Sequence, residues 1–156
     1  MTAVSNIVIK RASCQDAAAM DSLNRRCLPE NYPLVEWRAI LTLMPAFSYV
    51  AYDGDLLVGY SLGMIQPEVK KGVIASIAVD TSHRRKGIGK DLLLASIKSL
   101  EDHHVRSIVL NVRISNVPAQ ALYKTLGFRK HQLVSKYYQN GEDAYLMKKD
   151  VSTEIS

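Results

Sequence analysis

Cysteine is scarce in this chain, with Cys14 and Cys27 alone among 156 residues. Neither shares a CxxC spacing or a zinc-like set of partners, so a metal-knuckle or redox-motif reading has no support. Both fall on one predicted helix, too far apart along it for a disulfide. Reduced, packed thiols are the expectation, as in a cytosolic protein. Long apolar runs are missing too, and nothing approaches the roughly 18 residues needed to span a bilayer. Residues 1–10 lack the cationic start and apolar centre of a signal peptide. A cytoplasmic location is therefore expected. There is no internal repeat, low-complexity tract or linker. Residues 1–150 read as one domain and residues 151–156 as a frayed tail.

Two phosphate-binding signatures are also missing. The P-loop requires GxxxxGK[ST], and no glycine stands five residues before Gly89-Lys90. The dinucleotide fingerprint requires GxGxxG, and position 92 is Leu. The adjacent His103 and His104, like His131, have no Cys, His or Asp cluster nearby and read as surface residues, the pair at a helix end. No metal is expected, and His83 is assigned no role.

What is present is an ordinary globular composition, 47% apolar and 22% charged, with a formal net charge of +5. That excess favours anionic ligands, whether nucleic acid or a phosphate-rich small molecule.

Hydrophobic patterning gives the order β-α-α-β-β-β-α-β-α-β-β. Ile7–Arg11 reads as a first strand. Ser13 and Asp16 form a capping-box start to a helix bearing Ala17, Met20, Leu23 and Cys27 on one face. That helix should end near Leu28-Pro29, because the residue before proline avoids helical dihedrals. A helix over Leu34–Met44 follows. Phe47–Tyr52 and Leu56–Ile65 flank the hairpin turn Asp53-Gly54-Asp55. Val73–Val79 and Ser107–Val112 read as strands buried on both faces. Between them lies an amphipathic helix carrying Leu93, Ile97 and Leu100. Pro118 fits the first turn of a short helix that Gly127 stops. Phe128–Gln139 and Glu142–Met147 read as a hairpin about Asn140-Gly141. The fold class is α+β, a mixed and mostly antiparallel sheet of about seven strands flanked by about four helices.

The chemistry concentrates in Ser76–Leu92. A buried strand ends, a basic loop with Gly87 and Gly89 follows, and a helix begins. The helix N-terminus offers unpaired N–H groups and the positive end of its dipole. Glycine lets a ligand approach the backbone closely. Arg84, Arg85, Lys86 and Lys90 add charge where a phosphate would lie.

The spacing Arg84-x-x-Gly87-x-Gly89 resembles the (Gln/Arg)-x-x-Gly-x-(Gly/Ala) motif of the GCN5-related N-acetyltransferase (GNAT) superfamily. Asn116, Ala119, Tyr123, Gly127 and Phe128 fall in place on that family's second motif. The stretch Leu28-Pro29-Glu30-Asn31-Tyr32, with Tyr137-Tyr138 and Gly141–Tyr145, is similar to the NatA-type and RimI-type protein N-terminal acetyltransferases. The resemblance runs the length of the chain.

It implies acetyl-coenzyme A as cosubstrate and direct attack by a free α-amine. Ile77, Ala78 and Val79 would bind the pantetheine arm, and an N–H near Val79 would polarise the thioester carbonyl. Arg84, Arg85, Lys86, Gly87, Ile88, Gly89 and Lys90 would hold the pyrophosphate, with Asn116, Ala119 and Tyr123 completing the cofactor set. Tyr123 would donate a proton to the departing thiolate, its ordinary pKa of about 10 lying above the thiol's ~8.5. Leu28, Glu30, Tyr32, Asn111, Tyr137 and Tyr138 would line the peptide entrance. Tyr137 and Tyr138 alternate along a predicted strand, so one should point into the core, and Tyr138 is the expected substrate contact.

Relatives can carry a base at the places of Val73 and Asn111. Neither residue here is one, which leaves Glu30 or water. A weak base suffices for an α-amine, whose deprotonation at pH 7 costs about 1–1.4 kcal/mol, against about 4.6 kcal/mol for lysine. Three other readings stay open: an acetyltransferase for lysine or small amines, an inactive cofactor-binding regulator, and a basic nucleic-acid-binding module. Nucleic acid is the less favoured partner. The resemblance leaves room for an auxiliary subunit or a ribosome contact.

Overall fold

A computed structural model describes residues 6–151. Of the tail expected over residues 151–156, Val151 is tied down, its N–H donating to the Arg106 carbonyl at 2.9 Å, and residues 152–156 lie outside the described residues. Seven strands form one sheet: β1 (Ile7–Arg11), β2 (Tyr49–Asp53), β3 (Leu56–Gln66), β4 (Lys71–Val79), β5 (Ser107–Arg113), β6 (Arg129–Val134) and β7 (Ala144–Asp150). Four helices accompany them: α1 (Ala17–Cys27), α2 (Leu34–Leu43), α3 (Ile88–Asp102) and α4 (Val117–Thr125). The sheet order is β1-β2-β3-β4-β5-β7-β6. Only β4 and β5 run parallel, joined by the α3 crossover. The mixed, mostly antiparallel sheet is the one expected.

Local chemistry sets the boundaries. The Asp16 carboxylate accepts from the Ser13 N–H at 2.8 Å, closing the box that starts the first helical segment. That segment opens as a single 3-10 turn over Cys14–Asp16, so Cys14 sits before α1 and is exposed rather than packed. Gly127, at φ +97°, ends the turn after α4.

The helices cover opposite faces of the sheet. α1 and α2 bury Met20, Leu23, Trp37 and Leu41 against Val50, Tyr60 and Leu62. α3 and α4 bury Leu93, Ile97, Leu100 and Tyr123 against Ile74, Ile108, Leu110 and Met147. Gly63 is needed where β3 crosses Phe47, because a Cβ there would lie 2.4 Å from the Phe47 carbonyl oxygen.

One feature of the sheet creates the site. β4 pairs with β5 only over Lys71–Ile74, opposite Ser107–Leu110, and then diverges from it. At that point the β3–β4 register shifts, with Leu62 opposite Ser76 and Gly63 opposite Ile74. Ala75 is the extra residue of a β-bulge, which bends β4 away from β5. The expectation that β4 is buried on both faces therefore fails. Ala75, Ser76 and Ile77 are half-buried, because the divergence opens a cleft beside them, and Val79 at the strand end is half-buried too.

A second expectation also fails. β6 stops at Val134, and residues 135–143 form an irregular loop rather than two strand ends about a tight turn. The loop closes on itself through Lys136 N–H to Asp143 Oδ1 at 2.8 Å and Gly141 N–H to the Tyr138 carbonyl at 2.9 Å. Tyr137 and Tyr138 thus lie on a loop. Neither enters the core, and both face the cleft.

Candidate active site

The cleft between β4 and β5 has a volume of about 340 Å³. It passes between the two faces of the sheet. Ile74, Ile77, Leu110, Val112 and Tyr123 line it from the α3–α4 side. Leu28, Glu30, Tyr32, Asn111, Tyr137 and Tyr138 line it from the α1–α2 side. All six expected peptide-entrance residues meet here, and Val73 lines the same cleft.

β4 contributes backbone as well as side chains. Antiparallel ladders alternate bonded and non-bonded pairs. The Asp80 N–H donates to the Val58 carbonyl at 2.8 Å, which places Gly59–Val79 and Ser61–Ile77 at non-bonded positions. The Ile77 and Val79 N–H groups therefore point away from β3, toward the side from which β5 has departed. Unpaired donors facing an apolar cleft suit a ligand with its own amides and carbonyl oxygens.

At the end of β4 the chain turns through Arg85, at φ +65°, and Gly87, at φ +79°, into α3. The first N–H inside the helix is that of Asp91, donating to the Gly87 carbonyl at 3.0 Å. The N–H groups of Ile88, Gly89 and Lys90 are left without intrahelical partners, and Arg85, Lys86 and Lys90 stand exposed around them. Ile88 contributes backbone only, since its side chain is buried in the core. Ala78 is also buried and pairs with Tyr60 at a bonded position, so its backbone groups are turned to β3 and not to the cleft. Arg84 also has a structural role. Its Nε donates to the Val79 carbonyl at 3.0 Å, so its side chain folds back onto β4 and braces the loop. His83 braces it from the other side, with Nε2 2.9 Å from Asp53 Oδ2 and Nδ1 2.6 Å from Ser82 Oγ.

Tyr123 is 7% exposed, and its hydroxyl makes no hydrogen bond among the described residues. Burial pushes its pKa up to about 12. Asn116 caps α4 through Oδ1, which accepts from the Ala119 N–H at 3.2 Å, so its first role is to start the helix that carries Tyr123.

The peptide entrance holds the residue that sequence reasoning missed. Arg113, at the end of β5, pairs with Glu30 through Nη2 and with Glu142 through Nη1 at 3.0 Å. Its guanidinium lies over the Tyr138 ring, 3.9 Å from the centre. Glu142 also accepts from the Ser115 N–H at 3.0 Å. Bonds from Ser115, and next Arg113, lower its pKa below the ordinary glutamate range. Glu30 is therefore not a lone carboxylate: it shares the Arg113 cation with Glu142, and the three side chains together carry one negative charge. Burial, followed by the neighbouring Tyr137, raises the Tyr138 pKa to about 12. Asn111 donates through Nδ2 to the Tyr137 hydroxyl at 3.3 Å. The available signal for Arg113 was strand periodicity, since it shares a face with Asn111 two residues earlier.

Among the described residues no group of three His, Cys, Asp or Glu side chains gathers in metal-binding range, and no helix is long and apolar enough to cross a membrane.

Residues 17–128 match the Acetyltransferase (GNAT) family. The N-alpha-acetyltransferase of Saccharolobus solfataricus is 39% identical over 153 residues, covering 91% of this chain and 92% of that protein. The catalytic subunit NAA10 of the Arabidopsis thaliana N-terminal acetyltransferase A complex is 37% identical, covering 93% of this chain and 78% of its own. A crystal structure of the NatC complex bound to Gag peptide and CoA superposes with a TM-score of 0.89 at 25% identity, covering 94% of this chain and 99% of the matched one. Diverging central strands, a basic loop at a helix N-terminus and this extent of likeness together establish that the chain belongs to the GNAT acetyltransferase family.

Proposed function

We propose that the protein transfers the acetyl group of acetyl-coenzyme A to the free α-amine of protein N-termini. The observation that carries this reading is the cleft itself. It joins an anion-binding helix start and free β4 amides on one side to a loop-built polar entrance on the other. Two substrates can thus meet end to end through the sheet, which suits direct transfer in a ternary complex. The likeness to N-alpha-acetyltransferases extends over both halves of this arrangement.

Acetyl-coenzyme A supplies an activated thioester. The Ile77 and Val79 amides hold its pantetheine arm, and the Val79 N–H is the donor for the thioester oxygen. The Ile88, Gly89 and Lys90 amides receive the pyrophosphate, with Arg85, Lys86 and Lys90 supplying charge. Tyr123 stays protonated throughout the working pH range. A hydroxyl with a pKa near 12 does not give its proton outright to a thiolate whose conjugate acid has a pKa near 8.5. It instead offers a hydrogen bond to the leaving sulfur, and the proton released by the amine neutralises that sulfur in the end.

Glu30 and Arg113 act as one unit at the entrance. The pair places a partly compensated carboxylate where a peptide α-ammonium arrives, and Tyr32, Tyr137 and Tyr138 flank the chain behind it. The ammonium loses its proton to water at a cost of about 1–1.4 kcal/mol at pH 7, which requires no strong base. Incubation with labelled acetyl-coenzyme A and peptides bearing free or blocked N-termini tests the assignment. Label on free N-termini alone supports it, and equal label on N-blocked lysine peptides overturns it. A cytoplasmic location and an auxiliary subunit belong to the same reading; the likeness to NAA10, which is a subunit of a complex, supports the second.

A further inference from the structure

Beneath the peptide entrance lies a buried polar chain that the reaction scheme has not used. Tyr60 is fully buried on β3, and its ring stands edge-on to Trp37 at 5.2 Å. Its hydroxyl lies 2.7 Å from Ser76 Oγ and receives a hydrogen bond from Asn24 Nδ2 at 2.9 Å. Asn24 is also fully buried, and its Oδ1 has no partner among the described residues. Three polar side chains, from α1, β3 and β4, are thus strung through an otherwise apolar core. The unpartnered Asn24 Oδ1 carries a desolvation cost that a purely structural core would avoid. Apolar side chains of similar shape would serve the packing equally well.

The chain ends on the β-bulge. Ser76 is the residue after the extra Ala75, and both line the cleft. The same bulge is held from a second direction by the Tyr32 hydroxyl, 3.5 Å from the Ala75 carbonyl, and Tyr32 stacks edge-on against the other side of Trp37 at 5.8 Å. Two tyrosines braced on one tryptophan thus reach the two residues at which β4 leaves β5.

The donors run in one direction. Tyr60 has a single proton, and its oxygen already accepts from Asn24. Ser76 Oγ is the one acceptor in contact with that hydroxyl among the described residues, so donation to Ser76 is the arrangement that satisfies the buried Tyr60 proton. Ser76's own O–H is left to point elsewhere, and the open space beside it is the α1–α2 side of the cleft, opposite the α3–α4 side that faces the cofactor loop. Burial holds the Tyr60 pKa at about 12, so this polarity does not change with pH in the working range.

We infer that Asn24, Tyr60 and Ser76 form a positioning chain for the acceptor substrate. It fixes the β4 bulge and aims the Ser76 hydroxyl as a donor at an oxygen on the amine side, either the first carbonyl of the peptide or a water that receives the amine's proton. The inference rests on the proposed α-amine acetylation. Tyr60 and Asn24 act through Ser76 and touch no reacting atom.

The test measures kcat and KM for peptide and for acetyl-coenzyme A in Ser76→Ala, Ser76→Thr, Tyr60→Phe and the double variant Ser76→Ala/Tyr60→Phe, with melting temperatures recorded alongside. A wild-type enzyme that acetylates free peptide N-termini secures the underlying reading separately. Ser76→Ala is then expected to lower kcat/KM for peptide by about fivefold to tenfold, the worth of one hydrogen bond. Its KM for acetyl-coenzyme A stays within twofold, and Ser76→Thr restores activity. Tyr60→Phe loses activity in the same direction, and the double variant is no worse than Ser76→Ala alone, since the two act through one atom. A peptide with methylene in place of its first carbonyl distinguishes the two acceptors: the Ser76→Ala loss vanishes if the carbonyl is the partner and persists if water is. A Ser76→Ala enzyme within twofold of wild type on peptide overturns the inference. So do single losses that multiply in the double variant, or a loss that follows melting temperature and affects both substrates equally.

Discussion

Arg113 lays its guanidinium on the ring of Tyr138, 3.9 Å from the ring centre, while its edge holds Glu30 and Glu142. One side chain thereby ties the α1–α2 loop to the β6–β7 loop across the end of β5. The peptide entrance exists as a defined shape because both of its walls are fastened to the same cation. Charge-assisted hydrogen bonds are about twice as strong as neutral ones, and Arg113 is mostly sheltered from solvent.

Replacing Arg113 with alanine should release both walls and leave the Glu30 charge unmatched. We expect kcat/KM for peptide to fall by at least tenfold, on the order of one or two charged hydrogen bonds at about 1.5–3 kcal/mol each. The KM for acetyl-coenzyme A, bound beyond β4, should change less than twofold. Steady-state kinetics with each substrate varied in turn checks this.

Tyr123→Phe removes the donor facing the cleft without disturbing a hydrogen bond inside the protein. The expected result is a fall in kcat of about 10²-fold, the lower end of the range for removing one preorganised hydrogen-bond donor to developing charge. Both KM values should be nearly unchanged, and the melting temperature should be equal or slightly higher. A fall in stability in place of kcat would return Tyr123 to a packing role.

The fold was legible where local pattern and burial agree. The capping box at Ser13–Asp16, the proline stops and the helix face of Leu93, Ile97 and Leu100 all lie where spacing places them. The cofactor loop was legible from glycine and charge. What sequence spacing cannot show is a contact made by divergence. The half-exposure of Ala75, Ser76 and Ile77 depends on β5 leaving β4, which is set by the bulge and not by any local run of residues. Tyr137 and Tyr138 favour strand by propensity, yet the bonds closing residues 135–143 override it. Arg84 was legible by its charge, whereas the bond from its Nε to the Val79 carbonyl, which leaves the exposed end of the guanidinium facing solvent, exists only in the folded turn.

Gly87 holds φ +79° with open space where a Cβ would stand. Gly87→Ala therefore meets no clash, but it forces a side chain into the left-handed region at about 1–2 kcal/mol. The turn should relax by moving the free amides of α3. A rise of about fivefold to tenfold in the KM for acetyl-coenzyme A is expected, with the peptide KM unaffected.

Glu142 carries a pH-dependent part of the entrance. Its folded pKa is depressed, first by Ser115 and then by Arg113, so the bound proton count is higher in the unfolded chain at mildly acidic pH. Its contribution to stability is complete above the unfolded value of 4.5 and is lost as pH falls through the lower folded value. Melting temperatures of wild type and Glu142→Gln should differ by a constant amount at neutral pH and converge in acid. Because the carboxylate is solvent-facing, added salt should narrow the difference.

The central claim is that this cleft acetylates α-amines. One peptide with a free N-terminus and an internal lysine, incubated at pH 7 with acetyl-coenzyme A and mapped by fragment mass spectrometry, tests it directly. A single acetyl group on the α-nitrogen is expected, with the lysine unmodified at matched turnover. Acetylation of the lysine at a comparable rate would contradict it.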